Sequence, residues 1–151
     1  MPFSHSRIAN LGEEDETVGD AYFNVAYAQL KEGDRTDAAK NFEVALQIKE
    51  NFYESKPTNE EDENYKTLQA CYRHLLYLNK KINGDDHIQS GDLSEGRGNL
   101  YASVQNYQKA TQCYADAVRI YKMHYGSNHL SIGNILHNMG NTLGKDISNV
   151  P

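Results

Sequence analysis

The stretch YGSNHLSIGNILHNMGN, Tyr125 to Asn141, places two histidines and four asparagines in close order. Imidazoles at such spacing could hold a metal, and side-chain amides could hold a substrate or a peptide, because an amide donates and accepts at once. His87, His124, Cys71 and Cys113 raise the same question. Zinc, however, takes three or four convergent ligands, and no cysteine or carboxylate joins His124 and His129 at a telling spacing. His74 and His137 stand alone on helical stretches, and a Cys–His nucleophile would need a convergence that the order of residues does not offer. The glycines of SGDLSEGRGN follow no strand, so they do not form a phosphate loop and read instead as points of close helix packing. No metal, cofactor or catalytic residue is expected.

A repeat explains the cluster better. Shifted by 42 residues, Cys71 to Asn99 matches Cys113 to Asn141 without a gap at Cys71/Cys113, Tyr72/Tyr114, Lys80/Lys122, Gly84/Gly126, His87/His129, Gly91/Gly133, Gly98/Gly140 and Asn99/Asn141. Self-similarity at such a period marks stacked units that bury their apolar faces against neighbours. His87 and His129 then occupy equivalent loops, as caps or packing groups. Cys71 and Cys113, one repeat apart, should exceed the roughly 7 Å between Cα atoms that a disulfide tolerates, so both read as buried thiols of a reducing compartment.

Composition fits helix-on-helix packing. Eleven tyrosines supply aromatics to wedge between helices, and many alanines permit close approach. The net charge of −6 disfavours nucleic acid, whose phosphates demand clustered Lys and Arg. Acidic runs at Glu13–Glu16 and Glu60–Glu63 read as a solvated tail and a solvated loop. No apolar run approaches the roughly 18 residues a membrane span needs, and the first ten residues lack the pattern of a secretory signal, so a cytoplasmic location is expected.

Apolar spacing gives the elements. Asp20 to Glu32 and Thr36 to Glu50 form a pair around Gly33-Asp34, the second bearing Ala38, Phe42, Ala45, Leu46 and Ile48 on one face. Asn64 to Lys81 predicts another helix. Asn106 to Met123 carries Tyr107, Ala110, Tyr114, Ala117, Val118 and Tyr121 on one face; Tyr125 to Asn128 break it, and Ser127 or Asn128 should cap the next helix. That helix, Ser131 to Gly144, bears Ile132, Ile135, Leu136, Met139 and Leu143, with Gly140 allowing close approach.

GDAYFNVAYAQLKEGDRTDAAKNFEVALQI resembles a tetratricopeptide repeat through Tyr22, Asn24, Val25, Ala26, the Gly33-Asp34 turn, Ala38, Phe42 and Ala45. Gly98, Tyr101, Tyr107, Ala110, Tyr114 and Ala117 repeat the likeness. The 42-residue spacing and HYGSNHLSIGNILHNMGNTLG resemble the longer repeats of kinesin light chains and similar proteins. The resemblance covers about Gly19 to Gly144. It implies an all-α fold, a short right-handed α-solenoid of antiparallel helix pairs with about six helices, between a flexible acidic segment (1–18) and a tail (145–151). It further implies a noncatalytic adaptor or scaffold whose first helices line a concave groove for a peptide segment of a partner. Carried over by position, the groove residues are Asn24, Tyr27, Asn99, Asn138, Asn141 and His137, with Phe23 and Lys145 beside them. Phe23 and Tyr27 occupy the places where chaperone-binding repeats put their carboxylate clamp, which disfavours such a partner.

Three departures from the pattern stand out, and the end of the chain matters beside them. One is that Glu50 stands where a Pro often closes a repeat, and Ile88 and Leu130 stand where a Pro follows the loop His. The unit between the good pairs lacks a first helix, since KENFYESKPTNEED holds Pro57 and the acid run; residues 52–63 are expected as a loop or as an extension of the preceding helix to about Ser55. Arg97 stands where the motif has Leu. After Gly144 only KDISNVP follows, so the last helix lacks a partner helix. Its Ile132, Ile135, Leu136 and Met139 should stay partly wet, as a surface for homodimerisation or as part of a longer protein. Each such side chain is worth roughly 1.5 to 3 kcal/mol when buried.

Overall fold

The computed structural model describes residues 13–53 and 59–148. Among these the fold is all-α, with six helices: α1 (Glu13–Glu32), α2 (Arg35–Tyr53), α3 (Glu63–Asn83), α4 (Ile88–Ser103), α5 (Tyr107–Tyr125) and α6 (Leu130–Ser148). Within the units, α1 packs on α2, α4 on α5 and α5 on α6, as successive helices of tetratricopeptide-like repeats do. The chain divides into two compact units, 1–78 and 79–151, the division falling inside α3.

In the first unit, Gly33 ends α1 with φ +87°, a conformation a Cβ disfavours, and Asp34 N–H donates to the Gln29 carbonyl at 2.9 Å. Asp34 Oδ1 then accepts from Asp37 N–H at the start of α2. So short a connection between packed helices makes them antiparallel. Ala26, Ala38, Phe42, Ala45, Leu46 and Ile48 are buried. The ε-ammonium of buried Lys49 pairs with Asp20 at 2.5 Å and donates to Asn64 Oδ1 at 3.0 Å, so one side chain of α2 joins α1 to the first turn of α3. No helix intervenes between α2 and α3 among the described residues. Instead α3 packs on both members of the pair: His74 stacks on Phe42 at 5.0 Å between ring centroids and lies 5.8 Å from Tyr27, and Tyr72 donates to Glu50. The region expected to be irregular resolves in part. The α2 helix runs on to Tyr53, and Asp62 Oδ1 caps α3 by accepting from Asn64 and Tyr65 N–H, while Pro57 lies outside the described residues.

In the second unit the 42-residue repeat is visible atom by atom. Gly84 and Gly126, at φ +89° and +83°, end α3 and α5, each donating N–H to the carbonyl four residues earlier. His87 Nδ1 accepts from Gln89 N–H at 3.2 Å, and His129 Nδ1 from Ser131 N–H at 3.1 Å. The cap of α6 is therefore His129, which also stacks on Tyr125 at 4.2 Å, and not the expected Ser127 or Asn128. The loop before α4 is clasped by α5: Arg119 pairs with Asp86 at 3.0 Å and His124 Nε2 donates to the Asp86 carbonyl at 2.7 Å. Ala110, Tyr114, Ala117, Val118, Tyr121, Ile132 and Ile135 form the core. Gly91 and Gly98 of α4 meet α5 so closely that an added Cβ would lie 2.9 Å from the Tyr121 ring and 2.7 Å from the Tyr114 ring. That is the close packing their sequence context implies.

Four further expectations need correction. Residues 13–18 are helical rather than part of a flexible segment, and α6 continues to Ser148, four residues beyond the expected end at Gly144. Gly140 has no close neighbour among the described residues, none of which lies within 4 Å of a Cβ placed there. Ile132 and Ile135 are 2% and 0% exposed rather than partly wet, because α6 turns them onto α5, and Met139 packs against the same cluster. The open side of α6 carries Leu136 and Leu143 instead, 50% and 44% exposed.

Candidate functional site

On α1, Asp20, Asn24, Tyr27 and Lys31 follow one another at four, three and four residues and so share a face. Asn24, Tyr27 and Lys31 are exposed. Phe23 and Tyr27 lie with rings parallel to within 3°, centroids 6.4 Å apart, and Lys31 Nζ sits 4.7 Å over the Tyr27 ring. Phe23 meets Phe42 edge-on at 5.5 Å, so the exposed aromatic is braced from the core. Burial, aided by Arg73, holds the His74 imidazole below its ordinary pKa, which keeps it neutral and apt to stack. The face thus offers an amide, a fixed ring and a cation in line.

The remaining expected groove residues lie in the second unit. Asn99 Oδ1 accepts the Tyr114 hydroxyl at 2.6 Å, and Thr142 bonds the same hydroxyl from α6. Asn99 is therefore committed to joining α4, α5 and α6, though its residue is exposed. Asn141 Nδ2 donates to His137 Nε2 at 3.3 Å, both exposed, while Asn138 is half-buried. The structure brings together Asn24 with Tyr27, and His137 with Asn141. Sequence reasoning missed Lys31 and His74: Lys31 was legible as the residue four beyond Tyr27, whereas His74 reaches Tyr27 only by folding.

Beside these sits a carboxylate pair. The Tyr121 hydroxyl lies 2.5 Å from Asp92 Oδ1 and 3.1 Å from Glu95 Oε1. A phenol has one proton to donate, so one of the two carboxylates faces it as a surplus acceptor. Burial and the Asp92 charge raise the Glu95 pKa, with the Tyr121 bond opposing, and burial with both carboxylates pushes the Tyr121 phenol up. Burial likewise raises the Cys71 thiol to about 12, and it raises the Cys113 thiol as well. Both cysteines are free, Cys71 buried and Cys113 only half-buried, a correction to the expectation that both are buried. Among the described residues no group of three His, Cys, Asp or Glu converges as a metal site, and no helix is long and apolar enough to cross a membrane.

No curated protein matches the chain. Residues 97–131, from the end of α4 through α5 to the start of α6, match the tetratricopeptide repeat family. Such repeats are noncatalytic protein–protein interaction modules. The paired helices and the 42-residue repeat agree with this match, which identifies residues 97–131 as a tetratricopeptide repeat.

Proposed function

We propose that this chain is a noncatalytic cytoplasmic adaptor that holds a peptide segment of a partner protein on the exposed face of α1. The observation that supports this reading is the alignment of Asn24, Tyr27 and Lys31 on one face, with the Tyr27 ring braced by Phe23 and His74. An extended peptide presents unpaired backbone amides that Asn24 can bridge, an apolar side chain can lie on Tyr27, and an acidic one can meet Lys31. Ring placement in advance of binding lowers the ordering cost. Peptides selected from a random display library against the whole protein should lose affinity about fivefold or more on Asn24→Ala and about tenfold on Tyr27→Ala, from about 1 kcal/mol per hydrogen bond and somewhat more per aromatic anchor. Selected peptides that bind both variants as they bind the parent would remove this face from the function.

A second reading is self-association through α6, supported by the exposure of Leu136 and Leu143 on one side of a helix whose other side is spent on α5. Sedimentation velocity across a concentration series tests it: a mass fixed at that of one 17.1 kDa chain refutes it.

A further inference from the structure

The repeat supplies an internal comparison for the open side of α6. Gly91 and Gly98 of α4 are seats for Tyr121 and Tyr114 of α5, and the residue between them, Ser94, is buried. Their counterparts 42 residues on are Gly133, Gly140 and Leu136. Among the described residues nothing lies within 4 Å of a Cβ at either α6 glycine. The seats are repeated but empty, and the surface between them has changed from a small serine to a half-exposed leucine. A tyrosine-bearing helix seated on the α6 glycines as α5 is on those of α4 would meet the larger Leu136 at the position held by Ser94 in α4. Tyr101 is likewise replaced by Leu143.

The face that results alternates glycine and leucine: Gly133, Leu136, Gly140, Leu143. At 100° per residue these four fall within one quadrant of the helix. Read backwards against itself about position 138, the series is self-complementary, Gly133 falling opposite Leu143 and Leu136 opposite Gly140. We infer that the occupant of this face is a second copy of the chain, its α6 antiparallel to the first, each leucine seated on a glycine of the other.

Charge supports this occupant independently. In a chain with 24% charged residues, Leu130 to Gly144 contains no Asp, Glu, Lys or Arg. Two copies can therefore meet along this length without desolvating an ion, and the depletion of charge is the compositional mark of an interface core. A two-fold axis places the same patch on both sides and closes the assembly at two. One helix face per copy falls short of the roughly 1,200 Å² of stable interfaces, so the dimer is concentration-dependent.

The inference rests on the self-association reading, and one set of variants separates the two. Residues 133 and 143 are ten apart, about 15 Å along the helix, so cysteines at both positions of one chain cannot bridge, the limit being about 7 Å between Cα atoms. Sedimentation velocity on the parent should show a mass rising with concentration towards two chains, and L136E/L143E should hold it at one. Under mild oxidation the G133C/L143C double variant should give a covalent dimer, and G133C alone and L143C alone should not. Crosslinking by either single variant, or by none while the parent dimerises, overturns the antiparallel register and leaves self-association standing. A parent that stays at one chain throughout overturns both.

Discussion

The two glycines one repeat apart, Gly98 and Gly140, should respond oppositely to the same substitution. An alanine replaces glycine in both cases inside a helix, which by intrinsic propensity favours the helix by about 0.8–1.0 kcal/mol. At Gly140 nothing among the described residues lies within 4 Å of the new methyl, so the propensity gain stands alone and the variant should be more stable. At Gly98 the methyl would sit 2.7 Å from two carbons of the Tyr114 ring. The ring cannot easily yield, because it is buried and its hydroxyl is tied to Asn99 and Thr142. Overpacking of this kind costs about 1–3 kcal/mol, leaving a net loss of up to about 2 kcal/mol after the propensity gain. The difference between the variants isolates the packing cost. With a urea m-value of roughly 2 kcal/mol per M, their midpoints should separate by about 0.5–1.5 M. Circular dichroism at dilute protein concentration, where a dimer through α6 is dissociated, is the assay. Midpoints that shift the same way by the same amount would falsify the claim that α4 and α6 share a repeat position with different neighbours.

Other predictions concern protons and thiols. His74 binds fewer protons folded than unfolded as pH falls through its ordinary value of 6.5, so stability should decline with acidification in that window, and His74→Phe, which keeps the stacked ring, should lose that dependence. Glu95 has the opposite sign: its raised pKa makes the folded state hold the proton more tightly, so its contribution weakens as pH rises through the carboxylate range above 4.5. Glu95→Gln, whose amide can donate to the Tyr121 oxygen, should remove that slope and stabilise the protein at neutral pH; a neutral-pH midpoint below that of the parent would refute it. In native protein a thiol reagent should modify half-buried Cys113 well before Cys71, whose thiol is buried and pushed to about 12, and denaturant should abolish the difference.

Local pattern carried much of this protein. The 42-residue repeat, the glycine ends of helices, the paired helices around Gly33 and the apolar faces of α2 and α5 all follow from spacing, because helix periodicity and positive φ act on neighbours in the chain. The likeness to a tetratricopeptide repeat could be stated from the same residues. Packing across the chain decided the rest. Sequence spacing put Ile132, Ile135 and Leu136 on one stripe, yet only the position of α5 determined that the isoleucines are covered and Leu136 is not. Asn99 looked like a free amide until Tyr114 was found bonded to it, and His74 looked isolated until α3 folded onto α1 and α2. Gly98 and Gly140 are the same residue in the same register, and nothing local distinguishes them. What separates a filled seat from an empty one is whether another helix arrives there, which is a property of tertiary packing and not of the residue.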